Sequence, residues 1–209
     1  MIGSAGPPRP VDARVATPDD LDAVAETLAQ AFNRDPVWAW AFPDDERRLE
    51  QHRSAWRLAV GSAIPHGWVW MTADCSAAAV WIPPGEPELS PEDEVRFEAL
   101  LREMLDEEGA ERVLDTFERF DAAHPHDRGP HYYLSLLGTH PDHAGRGWGM
   151  GLLADNLKRL DAIGAAAFLE SSNPANDQRY ERLGFKPCGS FELAGDGPDV
   201  TQMWRDPAS

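Results

Sequence analysis

Between His131 and Phe185 the chain reads as strand, glycine-rich turn, helix, strand, helix, and this order restricts the fold more than any other stretch. An apolar run, HYYLSLLGTHP, leads through DHAGRGWGMG into an amphipathic segment, LLADNLKRLDAIG. A short apolar strand ending FLESS follows, and then NPANDQRYERLGF. Gly145, Gly147, Gly149 and Gly151 alternate through the turn. Glycine permits positive φ and close approach of backbone to a ligand, and a helix N-terminus offers an anion free N–H groups and a favourable dipole. Arg146 adds a cation suited to phosphate. The turn therefore reads as a phosphate cradle.

Two nucleotide-binding patterns compete for these glycines. A Walker-type loop needs GK[ST], and no lysine follows them. The dinucleotide fingerprint fares better, because Gly149, Gly151 and Ala154 satisfy G-x-G-x-x-A and Glu170 ends the next strand. Against it, the loop from Thr139 to Arg146 is too long for the tight turn that fingerprint requires, and a second run of βαβ units is missing. A dinucleotide-binding oxidoreductase is the weaker alternative.

At 209 residues, 42% hydrophobic and 26% charged, the chain fits one globular domain. Residues 1–10 read as a disordered leader and 11–206 as the domain. No apolar run reaches the ~20 residues that span a membrane, and MIGSAGPPRP lacks the apolar stretch of a signal peptide. Cys75 and Cys188 form no metal-type spacing and no disulfide framework, which suits a reducing, cytoplasmic setting. A net charge of −17 argues against nucleic acid or an anionic membrane as partner and is compatible with a cationic small substrate. A phosphate-bearing ligand would bind against that field through local donors, since screening acts over about 8 Å at physiological salt.

Residues 11–16 read as a first strand. Thr17-Pro18-Asp19-Asp20 starts a helix through a capping hydroxyl, proline at the first position and early acids. Leu21, Val24, Ala25, Leu28 and Phe32 give it an apolar face, and Asp35-Pro36 is expected to end it. A second helix is expected over 45–61, strands over 67–73 and 77–82, and helices over 91–107 and 110–122 separated near Gly109. Segments 190–194 and 200–205 read as a terminal strand pair able to mediate a dimer, so monomer and homodimer are both open. This order is α/β with a mixed sheet.

LLGTHPDHAGRGWGMGLL followed by NPANDQRYERLGF resembles the GCN5-related N-acetyltransferase (GNAT) superfamily, and within it the puromycin N-acetyltransferase group. RVATPDD, AETLAQAF and the shared FLES segment extend the resemblance over most of the chain. The resemblance implies the GNAT fold: a mixed, mostly antiparallel sheet splayed between the fourth and fifth strands, with a helical insert at about 86–128 before the fourth. It implies acetyl-CoA as acyl donor and no metal. Leu137, Gly138 and Thr139 would lie on the splayed strand against the pantetheine arm. Ala144, Gly145, Arg146, Gly147, Trp148, Gly149 and Met150 would cradle the pyrophosphate, Asn173 and Asn176 would touch the cofactor, and Tyr180 would protonate the departing thiolate. The family's turn usually opens with Gln or Arg where this chain has Ala144, and Arg146 compensates. Reading Arg146-x-x-Gly149-x-Gly151 restores the match at a shift of two residues.

The chemistry expected is direct acetyl transfer in a ternary complex to a primary amine of a small molecule, such as an antibiotic or related metabolite. A phenol stays protonated at neutral pH and can act as general acid, which suits Tyr180. A backbone N–H near Leu137 could bond the thioester oxygen. YYLSLLG offers no carboxylate, so Glu170 is the candidate to orient the amine or accept its proton. A hydrogen-bonded strand-end carboxylate is the competing role for Glu170, and a core tyrosine beside Leu183 and Phe185 that for Tyr180. His140 and His143 read as loop residues, since their spacing lacks the ligands of a metal site. Trp38/Trp40 and Trp68/Trp70 have the period-two spacing of a strand face or extended loop, and Trp38 is the candidate acceptor-pocket wall. A GNAT domain that binds CoA for regulation without turnover is the alternative from another class.

Overall fold

The computed structural model describes residues 8–208. Seven strands form one sheet: β1 (Ala13–Val15), β2 (Val69–Thr72), β3 (Ala77–Ile82), β4 (His131–Thr139), β5 (Ala166–Ser171), β6 (Lys186–Glu192) and β7 (Asp199–Arg205), in the order β1-β2-β3-β4-β5-β7-β6. Only β4 and β5 run parallel; every other neighbouring pair is antiparallel. β2 and β3 are buried along their whole length, as strands covered on both faces must be.

One face carries α1 (Leu21–Phe32), α2 (Pro36–Ala41), α3 (Arg48–Ala63) and the insert helices α4 (Pro91–Met104) and α5 (Glu107–Ala123). The other carries α6 (Trp148–Ala162), whose Leu152, Leu153, Leu157 and Leu160 are buried beneath β2, β3 and β5. Burying side chains of that size is worth about 1.5–3 kcal/mol each, so α6 is a principal anchor of the sheet. At its centre the Trp81 indole N–H donates to Asn156 Oδ1 at 2.9 Å. A short α7 (Asp177–Glu181) follows β5.

Three expectations need correction. Asp35-Pro36 ends α1 but also opens α2: Asp35 Oδ1 accepts from the amides of Val37 at 3.0 Å and Trp38 at 3.4 Å, and Pro36 takes the first helical position. Trp38 and Trp40 therefore sit on a helix, not on a strand face. The break between the insert helices falls at Leu105-Asp106, because Asp106 Oδ1 caps α5 by accepting from Gly109 N at 2.8 Å. Gly109 lies inside that first turn, where a Cβ would stand 2.9 Å from the capping oxygen. Finally, β6 starts at Lys186, ahead of the expected 190–194. The expected leader falls mostly outside the described residues, although Arg9 is seen and packs on α6. Among the described residues, no helix is long and apolar enough to cross a membrane.

Candidate active site

β4 and β5 pair over three residues only, His131, Tyr133 and the Tyr132 between them against Ala166–Phe168. Beyond Tyr133 the strands part, while β5 stays paired along its other edge with β7 over Ala167–Ser171. The β5-facing edge of β4 from Leu134 to Thr139 is thus left without a strand partner, a row of backbone donors and acceptors open to an extended ligand. On its other side β4 carries a bulge. Val80 pairs with Leu136 and the adjacent Trp81 with Leu134, so Ser135 is the extra residue. Leu137 and Thr139 line the open edge, while Gly138 lies tightly under α1: a Cβ there would come within 2.8 Å of Ala31 Cβ.

The turn after β4 is a short helical turn at Pro141–His143 followed by Gly145 and Gly147, both with positive φ (73° and 79°). α6 begins at Trp148, and its first helical hydrogen bond runs from Gly151 N to Gly147 O at 2.9 Å. The amides of Trp148, Gly149 and Met150 precede that bond and point out of the helix start. The four glycines divide their work. Gly145 and Gly147 supply the left-handed turn, whereas Gly149 and Gly151 are buried helical residues whose missing side chains permit close packing. A Cβ on Gly149 would lie 2.5 Å from Thr139 Oγ1, and one on Gly151 would lie 2.3 Å from the Arg9 carbonyl. Ala144 and Arg146 are exposed on the turn. The Arg9 guanidinium stacks 3.8 Å above the Trp148 ring, placing a second cation at the start of α6.

This geometry removes the dinucleotide alternative. A dinucleotide fold needs a doubly wound parallel sheet, and here β4 and β5 are the single parallel pair. Gly149 and Gly151 lie within the helix and not in the strand-to-helix turn.

Asn173 and Asn176 shape the turn into α7. Asn173 Oδ1 accepts from Ala175 N at 3.0 Å, and Asn176 Oδ1 accepts from Arg179 Nη1 at 2.9 Å. His140 and His143 lie at the short helical turn, and no group of three or more metal-ligating side chains occurs among the described residues.

Glu170, one residue before the end of β5, buries both carboxylate oxygens beside the Tyr133 hydroxyl. Burial holds its pKa well above the usual carboxylate range against the opposing hydrogen bond from Tyr133, and the nearby charge of Glu88 adds to the effect. Tyr180 on α7 is half-buried, with its ring edge-on to Phe185 at 6.1 Å. Burial raises its phenol above the ordinary value, helped by the charges of Asp35 and Asp177. Trp38 is 5% exposed and stands edge-on to Trp56 at 4.7 Å and stacked with Phe120 at 6.1 Å. With Phe97, Phe117 and Tyr133 it lines a narrow aromatic slot that ends against Ser135 and Leu136. A larger cavity of about 510 Å³ lies alongside and shares Glu88, Phe117, Phe120 and Tyr133 with the slot.

Sequence reasoning missed Glu88, Tyr133, Ser135 and Asp35. The Ser135 hydroxyl donates to Glu88 Oε1, so a carboxylate does meet β4, delivered by the segment PPGEPE rather than by the strand itself. A polar residue in the middle of the apolar YYLSLLG was the available signal.

No family model matches the chain. Solved structures do. A histone acetyltransferase HPA2 and related acetyltransferase from Corynebacterium glutamicum ATCC 13032 superposes with a TM-score of 0.71 at 24% identity, over 96% of this chain and 98% of that one. Arylalkylamine N-acetyltransferase 2 from Aedes aegypti gives a TM-score of 0.62 at 14% identity, covering 95% and 99%. A Drosophila melanogaster polyamine N-acetyltransferase that catalyses formation of N-acetylagmatine gives 0.59 at 15% identity, covering 93% and 98%. The splayed sheet, the glycine turn opening α6 and the insert before β4 give this chain the fold of the GCN5-related N-acetyltransferases.

Proposed function

We propose that this protein is an acetyl-CoA-dependent N-acetyltransferase acting by direct transfer on a primary amine of a small molecule. The observation that carries the reading is the opening between β4 and β5, with free strand edge on one side, the Gly145–Met150 turn at one end and Glu170 at its margin. Superposable proteins named for acetylating arylalkylamines and polyamines support an amine acceptor. The resemblance to the puromycin N-acetyltransferase group supports an antibiotic or related metabolite among the candidates.

The residues present fit the acyl donor. Left-handed Gly145 and Gly147, the unbonded amides of Trp148, Gly149 and Met150, and the cations Arg146 and Arg9 suit a pyrophosphate. The open edge of Leu137–Thr139 suits the amide-bearing pantetheine arm. Holding amine and thioester side by side supplies a large part of the acceleration. Glu170 takes the proton from the ammonium, directly or through water, which frees the nitrogen lone pair. The nitrogen then attacks the thioester carbon; the C–N bond forms, the C–S bond breaks, and a β4 amide near Leu137 stabilises the developing oxyanion. Tyr180 gives its proton to the departing thiolate. The surplus proton on the acylated nitrogen passes through water to the phenolate, which leaves an amide, a thiol and a restored Tyr180, while Glu170 returns its proton to solvent. Transfer is direct, from thioester to amine, with no acyl-enzyme.

The test is thiol release from acetyl-CoA with a panel of amines, for wild type and Glu170→Gln. Amine-dependent release that falls by about a hundredfold or more in the variant is expected, the usual scale for a general base. Absence of amine-dependent release across the panel would sink the reading, as would an acyl-enzyme burst without acceptor.

A further inference from the structure

After β3 the chain turns through Pro83-Pro84-Gly85, the glycine in a left-handed conformation (φ 84°), and comes back along β4. This return places Glu88 against the bulge, where Ser135 donates to its carboxylate. The bulge matters because a regular strand would alternate position 135 with its neighbours and leave no extra residue at the parting of the strands. Glu88 lines both the aromatic slot and the larger cavity, so it sits where the two meet. Asp121 on α5 faces the larger cavity towards solvent. Glu170 lies on the inner side, with both carboxylate oxygens buried beside the Tyr133 hydroxyl. Three carboxylates from three elements therefore surround Tyr133.

No lysine or arginine lines either cavity. A carboxylate buried without a lysine or arginine beside it costs several kcal/mol when charged, so its natural complement is a cation brought by the ligand. The other titratable groups facing this space are a further acid, Glu86, and the imidazoles of His124, His126 and His131. Burial, followed by the charges of His131 and His126, lowers His124 to about 4, which leaves it neutral at physiological pH. Burial also pushes Glu88 upward against the hydrogen bond from Ser135, with Asp121 contributing, as expected for acids crowded together with no lysine or arginine among them. Between the acids the walls are apolar and aromatic, from Phe117, Phe120 and Tyr133, and aromatic faces attract cations as well as methylene chains.

We propose that the cavity between the insert and β4 is an acceptor subsite for an amine carrying a second positive charge, with Glu170 facing the reacting nitrogen, Asp121 facing the distal cation, and Glu88 held between them by Ser135. The substrate class is a diamine, polyamine or guanidinoalkyl amine with an apolar spacer lying on Phe117 and Phe120. This rests on the transferase reading for the identity of the reacting end. The distal end rests only on the cavity.

Matched substrates test it. Cadaverine and pentylamine have the same carbon chain and differ in the second cation. The full-length protein is assayed for acetyl transfer from acetyl-CoA, and binding of the two amines is measured separately by calorimetry. Wild type is expected to favour cadaverine in kcat/KM by about tenfold or more, through KM, the worth of one added ion pair in a partly desolvated site. Asp121→Asn and Glu88→Gln are each expected to bring the ratio to within about threefold of unity, in transfer and in binding alike. Equal kcat/KM for the two amines in wild type, or a preference that both variants retain, overturns the subsite while leaving the transferase reading intact. Variant-sensitive binding of cadaverine with no acetylation of either amine would have the opposite meaning: the subsite stands and the transferase reading falls. No binding and no transfer removes both.

Discussion

Ser172, the residue after β5, donates its hydroxyl to the Asp35 carboxylate at 2.8 Å, linking the turn between α1 and α2 to the rim of the opening. Asp35 is 7% exposed, and its charge acts on the Tyr180 phenol in addition to burial. A general acid works while protonated, so activity is lost as pH rises through its pKa. Burial and the two carboxylates raise that pKa, which puts the basic limb of kcat above the ~10 of a free tyrosine. Asp35→Asn keeps the helix cap, since asparagine caps as well as aspartate, but removes the charge. The basic limb should therefore move to lower pH. A limb that stays in place would show that Asp35 has no electrostatic hold on Tyr180. Tyr180→Phe should lower kcat by about 10²-fold or more with acetyl-CoA affinity retained.

Gly149 measures how closely α6 must approach β4. Alanine is favoured over glycine in a helix by about 1 kcal/mol, yet its Cβ would lie 2.5 Å from Thr139 Oγ1. The strand is fixed by β3, so the helix start is the part that yields. Gly149→Ala should weaken acetyl-CoA binding by about tenfold while Tm changes little. Adding Thr139→Ala removes the opposing hydroxyl and should restore most of the affinity. Equal Kd values for the single and double variants would exclude this contact as the cause.

The fold is legible where local chemistry and periodicity agree. Thr17-Pro18 marks the short turn that leads into α1, Ser90 caps α4 ahead of Pro91 by accepting from Asp93 N at 3.2 Å, and the glycine turn marks α6. Each combines a cap, a fixed φ or a dipole with an apolar repeat. The parting of β4 from β5 comes only through family resemblance, since a strand's own residues do not reveal where its pairing stops. Asp35-Pro36 reads as a stop alone, although the same two residues start α2. Glu88 is hidden for a different reason. Its partner Ser135 is 47 positions away, and the bulge that brings them together depends on register between β3 and β4. Side chains that meet through turns of the insert carry no spacing signal.

The Trp81–Asn156 bond joins two residues that are each 0% exposed, in the interface between β3 and α6. Asn156→Ala would leave the indole N–H buried without an acceptor, at a cost of about 1–3 kcal/mol beyond the cavity it opens. Because α6 carries the glycine turn, this loss bears on the site as well as on stability. Trp81→Phe in the Asn156→Ala background removes the orphaned donor, so the two losses should fall short of additive by about 1 kcal/mol in urea unfolding. Strict additivity would mean that the bond contributes nothing net.

His52 links the core to pH. Its ring is 0% exposed, edge-on to Phe42 at 5.0 Å and tilted against Trp56 at 5.8 Å. Burial chiefly lowers its pKa from the ordinary 6.5 to about 4. Between those two values the unfolded chain takes up a proton that the folded one does not, so the unfolded state gains from acidification. The contribution of His52 is fully present above 6.5 and is lost as pH falls towards about 4. A lowering of that size is worth roughly 3 kcal/mol of stability. His52→Phe retains an aromatic ring and cannot titrate, so its stability relative to wild type should improve steadily as pH is lowered through this window. Chemical denaturation of both proteins at a series of pH values checks this. A stability difference that stays constant from neutral pH down to the lower end of the window would rule out His52 as the titrating group.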